Sequence, residues 1–189
     1  MKSTIHEHQK NKFKMFSKTI KQFGFALVLA LTTLSSCSSD SDGGVGGGSA
    51  SLGTLKAKVA GSNFTSMTAA TFATKQVAGG STTVIVQGSD ASGKVIQIMV
   101  MGTTVPAGTY QISDSSISAN ASYSEINIST MTSQTWAAPY EASGNVGSIT
   151  ISEITETNVK GTFTFTGKNQ SGTDTKNVTD GAFNINFSS

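Results

Sequence analysis

The sequence predicts an all-β domain, an antiparallel β-sandwich or barrel-like fold of roughly nine to eleven short strands. Apolar and polar residues alternate with a period of two in many short segments, which is the pattern of half-buried strands. Turn-forming residues separate these segments at intervals of about ten residues. No segment after residue 53 has a convincing helical period. Together these features favour an antiparallel sheet that buries one face.

The strand predictions run from residue 54 to residue 187. Apolar runs or alternation bounded by turn signals predict strands at 54–59, 64–67, 71–77, 82–87, 95–101, 109–112, 123–128, 134–140, 148–152, 162–166 and 177–187. The turn signals between them include Gly61-Ser62, Gly79-Gly80, Asp90-Ala91-Ser92-Gly93 and Val105-Pro106-Ala107-Gly108. The length from 54 to 189 suits one all-β domain.

Three strands carry a more specific prediction. The nearly continuous apolar run at 95–101 predicts a central strand covered on both sides, or one near a closed barrel wall. Pro139 near the end of 134–140 places that strand at a sheet edge, because proline cannot donate to the ladder. Asp180-Gly181 is either a hairpin turn or a bulge, and the short segment before it favours a bulge within one long C-terminal strand.

The first 53 residues differ from the domain in composition. An apolar run at 23–34 follows Lys18 and Lys21, and Leu34-Ser35-Ser36-Cys37 leads from it into a Gly/Ser-rich stretch. The run is shorter than the roughly 20 residues that a transmembrane helix needs. This layout resembles a bacterial lipoprotein signal with its lipobox. The resemblance implies a signal peptide over 1–36, an acyl group such as palmitate on Cys37, and a tether over 37–53.

The same resemblance implies an outer-membrane lipoprotein held to the membrane by its lipid. Stable anchoring takes two or more acyl chains, and mature bacterial lipoproteins carry three. Asp40 and Asp42 resemble the surface-export signal of lipoproteins from the Bacteroidota, which implies the outward-facing leaflet. The alternative is a solvated charge pair in the linker. Either Met1 or Met15 fits as the start of the signal.

Composition excludes several kinds of chemistry and partner. After Cys37 the chain keeps seven lysines, no arginine and ten acidic residues, a balance of −3, so it lacks the basic patch that nucleic acid needs. His6 and His8 lie in the predicted signal, and Cys37 is the only cysteine. The mature domain therefore cannot form a Ser-His-Asp triad, a cysteine nucleophile or a zinc site of Cys and His. No cofactor or metal is predicted, since no calcium-binding loop is present.

Several segments of the domain together resemble one protein family. They are 56–64, 107–110, 147–153, 159–166 and 178–184. In this order they resemble a family of Bacteroidota lipoproteins of unknown function. The resemblance covers most of the domain. It implies a cell-envelope lipoprotein with an all-β domain and offers no catalytic residues to carry over.

Trp136 and Tyr140 are the candidate ligand-binding residues. They lie four residues apart on the predicted strand 134–140, so both side chains are expected on the same face of the strand. Together they would form one aromatic platform for stacking against a sugar. The alternative is that the only tryptophan fills the core, where its large side chain would bury most area.

Glu153 is the carboxylate with the most informative position. It alternates with Ile149 and Ile151, so its side chain is expected on the same apolar face, at the end of the strand. If Ile151 pairs with Val159, Glu153 is predicted at the rim of the core. Partial burial there would raise its pKa, as an acid catalyst requires. The alternative is a solvated or hydrogen-bonded side chain.

Polysaccharide hydrolysis would require two carboxylates about 5–5.5 Å apart in a retaining enzyme or about 6.5–9.5 Å apart in an inverting one. The candidates are Asp90, Asp114, Glu125, Glu141, Glu153, Glu156, Asp174 and Asp180. The function predicted from the sequence is a non-enzymatic, lipid-anchored β domain that binds a glycan or an envelope partner. The alternatives are a carboxylate-based polysaccharide hydrolase and a purely structural envelope protein.

Overall fold

The computed structural model describes residues 49–127 and 129–188 of the chain. The predicted signal peptide 1–36, Cys37 and the predicted tether as far as residue 48 lie outside the described residues. Eleven antiparallel strands form one sheet that curls into a half-barrel, which confirms the predicted all-β, barrel-like fold. Within the described residues, no helix is long and apolar enough to cross a membrane.

The strand bounds follow the predicted segments closely, with most strands a few residues longer than predicted. They are β1 Thr54–Val59, β2 Ser62–Thr65, β3 Thr71–Ala78, β4 Ser81–Ser89, β5 Lys94–Gly102, β6 Gly108–Ser113, β7 Ala119–Asn127, β8 Thr132–Ala138, β9 Asn145–Ile154, β10 Asn158–Asn169 and β11 Thr175–Asn186. A single 3-10 turn, Thr68–Ala70, precedes β3.

The sheet divides into two walls that meet at β10. The front wall is β3-β4-β5-β7-β8, and the back wall is β6-β9-β10-β11-β1-β2. β10 pairs with β9 from Val159 to Phe165 and with β8 at Lys168 and Asn169, so both walls use the same edge of this strand. On the far side, a bridge between Ala73 and Phe187 joins β3 to the end of β11.

The core lies between the inner faces of the two walls. Alternate residues of each long strand point inward, so Val86 and Ile98 of the front wall face Ile149, Ile151 and Phe183 of the back wall. The space left between them is a cavity of about 10 Å³. A cavity of that size holds one water molecule at most. The half-barrel is therefore filled by its own side chains.

The bulge predicted at Asp180-Gly181 is confirmed. Asp180 has a φ of 52°, a left-handed conformation that Asp tolerates better than most residues. The register shifts here against both neighbours of β11, β1 and β10. A Cβ at position 181 would lie 2.7 Å from the ring of Phe163, so the bulge brings a glycine under that ring.

The edge position predicted for the strand containing Pro139 is wrong. β8 pairs with β7 along its length and with β10 at Trp136 and Ala137. The strand ends at Ala138, so the missing N–H of Pro139 falls just outside the ladder and removes no bond from it.

The register predicted for the β9–β10 hairpin is also wrong. Val159 lies opposite Ile154, and Ile151 lies opposite Gly161. A bulge next to Glu153 adds one residue to β9, before the turn that leads into β10. Thr155 closes that turn, because its N–H donates to the Asn158 carbonyl at 2.9 Å and its hydroxyl accepts from the Asn158 N–H.

Gly161→Ala tests the close packing of β10 against β9 and β11 in the back wall. An added methyl group would overlap the Thr150 carbonyl oxygen and the Phe183 ring. We expect a loss of about 1–3 kcal/mol in the free energy of unfolding, measured by urea denaturation. Thr162→Ala, at the next, outward-facing position, is the control and should cost less than about 1 kcal/mol. Equal losses in the two variants would contradict the packing.

Candidate functional site

The densest group of polar and aromatic side chains lies at one end of the half-barrel interior. We call Tyr123, Glu125, Trp136, Asp174 and Lys176 the aromatic–ionic cluster. Tyr123 and Trp136 are cross-strand partners on the inner face of β7 and β8, and their ring centroids lie 5.7 Å apart. Tyr123 is 1 % exposed and Trp136 is 2 % exposed, so the rings belong to the core.

Lys176 links the two walls within this cluster. It is the second residue of β11. Its ammonium group lies 3.9 Å from the centroid of the Trp136 ring and 5.2 Å from that of Tyr123. The same group forms an ion pair with Glu125 Oε1. Contact between a cation and an aromatic face is stronger where water is excluded. The cluster thus joins β7 and β8 to β11 through one charged side chain.

Hydrogen bonds satisfy the polar ends of the two buried rings. The Tyr123 hydroxyl donates to Glu125 Oε1 at 2.8 Å. The Trp136 indole N–H donates to Asp174 Oδ2 at 2.7 Å. Because buried polar groups are costly when unpaired, these two carboxylates allow the rings to close the end of the core.

A glycine on β10 makes room for the tryptophan. A Cβ at Gly167 would lie 2.8 Å from the Trp136 carbonyl oxygen and 3.0 Å from its Cβ. Any larger residue would push β10 away from β8, where Asn169 pairs with Trp136. The position of the ring therefore depends on a backbone contact that only glycine permits.

The electrostatics of the cluster do not suit proton transfer near neutral pH. Burial tends to raise the pKa of Glu125, but hydrogen bonds from Lys176 and Tyr123 and the charges of Lys176 and Lys94 lower it overall. Burial, followed by the hydrogen bond to Glu125 and its charge, raises the pKa of Tyr123. A general acid or base works best with a pKa near the working pH. Both groups are moved away from it, so the cluster is built to hold the fold.

The predicted aromatic platform of Trp136 and Tyr140 is not formed. Trp136 is buried against Tyr123 and Lys176, which is the alternative that the sequence left open. Tyr140 lies after the end of β8 and is partly exposed, with the Lys168 ammonium 5.7 Å from its ring centroid. One ring faces the core and the other does not, so the pair offers no shared surface to a sugar.

The predicted core-rim position of Glu153 is wrong. The bulge in β9 turns this residue to the outer face, where it is exposed and forms a 3.3 Å ion pair with Lys160. An exposed ion pair of this kind adds little to stability. Glu153 therefore lacks the burial that an acid catalyst would need.

Four other acidic candidates also have structural partners. Asp180 pairs with Lys58 at 3.0 Å, and Asp90 accepts hydrogen bonds from the backbone N–H groups of Ser92 and Lys94 in the β4–β5 turn. Glu125 and Asp174 belong to the aromatic–ionic cluster. Among the described residues, no three His, Cys, Asp or Glu side chains are grouped so that they could hold a metal ion.

The model of one protein family, a domain of unknown function (DUF6252), matches residues 53–185. The chain belongs to this family. The match begins one residue before β1 and ends one residue before the end of β11, so the family's domain corresponds to the whole eleven-stranded sheet. No curated protein and no solved structure matches the sequence.

Glu125→Gln tests the electrostatics of the cluster. Because the folded-state pKa of Glu125 is lowered below its ordinary 4.5, its ionised form stabilises the fold above that pH, and this stabilisation is lost as the pH falls through the folded-state value. We expect the variant to melt a few degrees below the wild type at pH 7, with the difference shrinking below about pH 4.5.

Glu153→Gln is the matched control for this prediction, since it removes an exposed carboxylate with a lysine partner. Its melting temperature should stay close to that of the wild type at both pH values. A Glu125→Gln variant that melts like the control at pH 7 would contradict the structural role of the cluster.

Proposed function

We propose that the chain is an outer-membrane lipoprotein, anchored through Cys37, whose β domain binds an envelope glycan or protein through its outer surface. The layout of residues 18–44 supports the anchor, since a lysine-flanked apolar run leads to the only cysteine and then to a Gly/Ser-rich stretch. Lipid attachment by this route would hold the domain at the membrane without a spanning helix.

The filled interior is the observation that favours action through the surface. Ligand-binding sites are usually clefts of about 300–1,000 Å³ lined by apolar groups and a few polar ones. The space between the walls is about 10 Å³, and the polar groups at the end of the core are bonded to one another. A hydrolase of the predicted alternative kind needs a cleft with two converging carboxylates. Glu125 and Asp174 come together in the aromatic–ionic cluster, but their oxygens are bonded to Tyr123, Lys176 and Trp136, which disfavours a hydrolytic role.

The start of the described chain supports attachment by a tether. Ala50 is buried, and the Gly53 N–H donates to the Asn184 carbonyl oxygen at 2.7 Å, so the last residues of the predicted tether pack on β11. Roughly a dozen residues separate Cys37 from this point, and a Gly/Ser-rich chain of that length spans about 20 Å on average. The domain would stand within reach of envelope partners.

Replacing Cys37 with serine tests the anchor. In cells fed a clickable palmitate analogue, the wild-type chain should be labelled and should sediment with outer membranes. Cys37→Ser should be unlabelled and absent from that fraction, because the acyl acceptor is gone. Ser39→Ala, two residues away, should behave like the wild type. A wild-type chain without label, still joined to residues 1–36, would contradict the proposal.

Binding is tested separately on arrays of glycans and envelope proteins with the purified full chain. We expect at least one partner that still binds when a residue of the aromatic–ionic cluster is substituted. Its binding should be lost when side chains on the outer face of the sheet are substituted. The absence of any specific partner on both arrays would contradict the binding role and would favour a purely structural one.

A further inference from the structure

The two walls of the half-barrel differ in the charge of their outer faces. On the back wall, six charged side chains point outward: Lys56, Lys58, Glu153, Lys160, Lys168 and Asp180. On the front wall, the outward positions of β3, β4, β5, β7 and β8 carry uncharged side chains. Lys75 of the edge strand β3 is exposed, but it alternates with these positions and has the same parity as the buried Ala73. Protein surfaces normally mix charges of both signs, so a five-stranded face without any is a distinct chemical surface.

Each row of outward side chains across the front wall mixes amide or hydroxyl groups with apolar groups. One row across the strands runs through Phe72, Gln87, Gln97 and Ser122, which are successive register partners. The neighbouring row runs through Thr74, Ile85, Met99 and Asn120. Strands are about 4.8 Å apart and rows on one face about 7 Å apart. The result is a grid on the outside of the curled sheet that mixes hydrogen-bonding and apolar groups.

On both faces some polar side chains are hydrogen-bonded to one another across the strands. On the back wall, Asn158 Nδ2 donates to Asn184 and Asn186, and Thr166 donates to Asn177. On the front wall, Ser124 and Thr135 share a 2.8 Å hydrogen bond across β7 and β8. Gln87 and Gln97 face each other across β4 and β5 without such a bond to a side chain of the described residues. Their donors and acceptors are therefore available to a ligand.

We propose that the outer face of the front wall binds an uncharged polysaccharide, which specifies the ligand of the proposed surface-binding function and rests on it. A sugar chain presents hydroxyl groups at the edges of its rings and C–H groups on their faces. The amides of this grid can hydrogen-bond the hydroxyl groups, and its apolar side chains can pack against the C–H groups. Phe72, 38 % exposed at the edge of the face, supplies an aromatic ring for stacking.

The same chemistry disfavours other occupants. Anionic polysaccharides, phosphate headgroups and nucleic acids are bound through cationic side chains, which this face lacks. The core of a dry protein interface is depleted in polar groups that cannot be paired, whereas the central row of this face carries two glutamines. A second copy of the chain packed on the face would have to pair both amides.

The test uses the full-length lipidated chain in detergent and native gels containing dextran, laminarin or, as the anionic comparison, alginate. We expect at least one of the two neutral polysaccharides to retard the wild-type chain, with no loss between about 50 and 500 mM NaCl, since charge does not contribute. Alginate should not retard it. No retardation by either neutral polymer, or alginate binding that weakens with salt, would overturn the proposal.

Variants locate the binding face. Gln87→Glu combined with Gln97→Glu keeps the side-chain shapes but removes donors and adds charge, and should weaken binding at least about tenfold. Met99→Lys should have a similar effect. Thr164→Glu, outward on the back wall, is the matched control and should bind like the wild type. Melting temperatures close to that of the wild type establish that the variants fold.

Three further results distinguish the outcomes. Binding unchanged by both front-wall variants overturns the assignment of this face. A concentration-dependent dimer that the double variant abolishes shows a second copy as the occupant and also overturns it. If the wild-type chain is labelled with palmitate but binds no polysaccharide, this inference is contradicted and the proposed anchor is not. If the chain is not labelled, the proposed anchor is contradicted, but a measured polysaccharide affinity still stands.

Discussion

The fold depends on how closely the backbones of β8 and β9 approach β10. Gly161 lies against the Thr150 carbonyl of β9, and Gly167 lies against Trp136 of β8. Side chains at either position would separate the strands, so the two glycines allow β8 and β9 to pair along the same edge of β10. Because both walls are tied to that edge, the curled sheet closes over one shared core.

The filled core determines where the domain can act. Inward side chains of the two walls meet directly, and the end of the core is closed by the Trp136 and Tyr123 rings with their carboxylate partners. Lys176 bridges the aromatic rings and Glu125, so the charge of Glu125 is paired within the fold. What remains for recognition is the outside, where the walls differ sharply in charge.

Local pattern predicted most of the strands, because side-chain alternation has the same period wherever a strand lies. The bounds of β1 match the prediction, and the bulge at Asp180-Gly181 follows from two residues that favour it. The β9–β10 register was missed because the bulge beside Glu153 has no comparable local signal. One extra residue there moved Glu153 from the predicted inner face to the outer one.

The aromatic–ionic cluster could not be predicted because its members lie far apart in the sequence. Lys176 and Asp174 follow Trp136 by about forty residues, and only the pairing of β8, β10 and β11 brings them together. The sequence offered one signal, which is that Tyr123 and Glu125 lie two residues apart on β7 and so point to the same face. That spacing does not identify Lys176 as their partner. The same parity on 134–140 suggested a sugar platform, but Tyr140 lies beyond the strand end.

The central claim is that the half-barrel interior is filled and closed, and Trp136 reports on it directly as the only tryptophan. Acrylamide quenching of its fluorescence should be far weaker in the native chain than in guanidinium-unfolded chain, with native emission shifted to the blue. Native quenching equal to that of the unfolded chain would show an open interior and contradict the account.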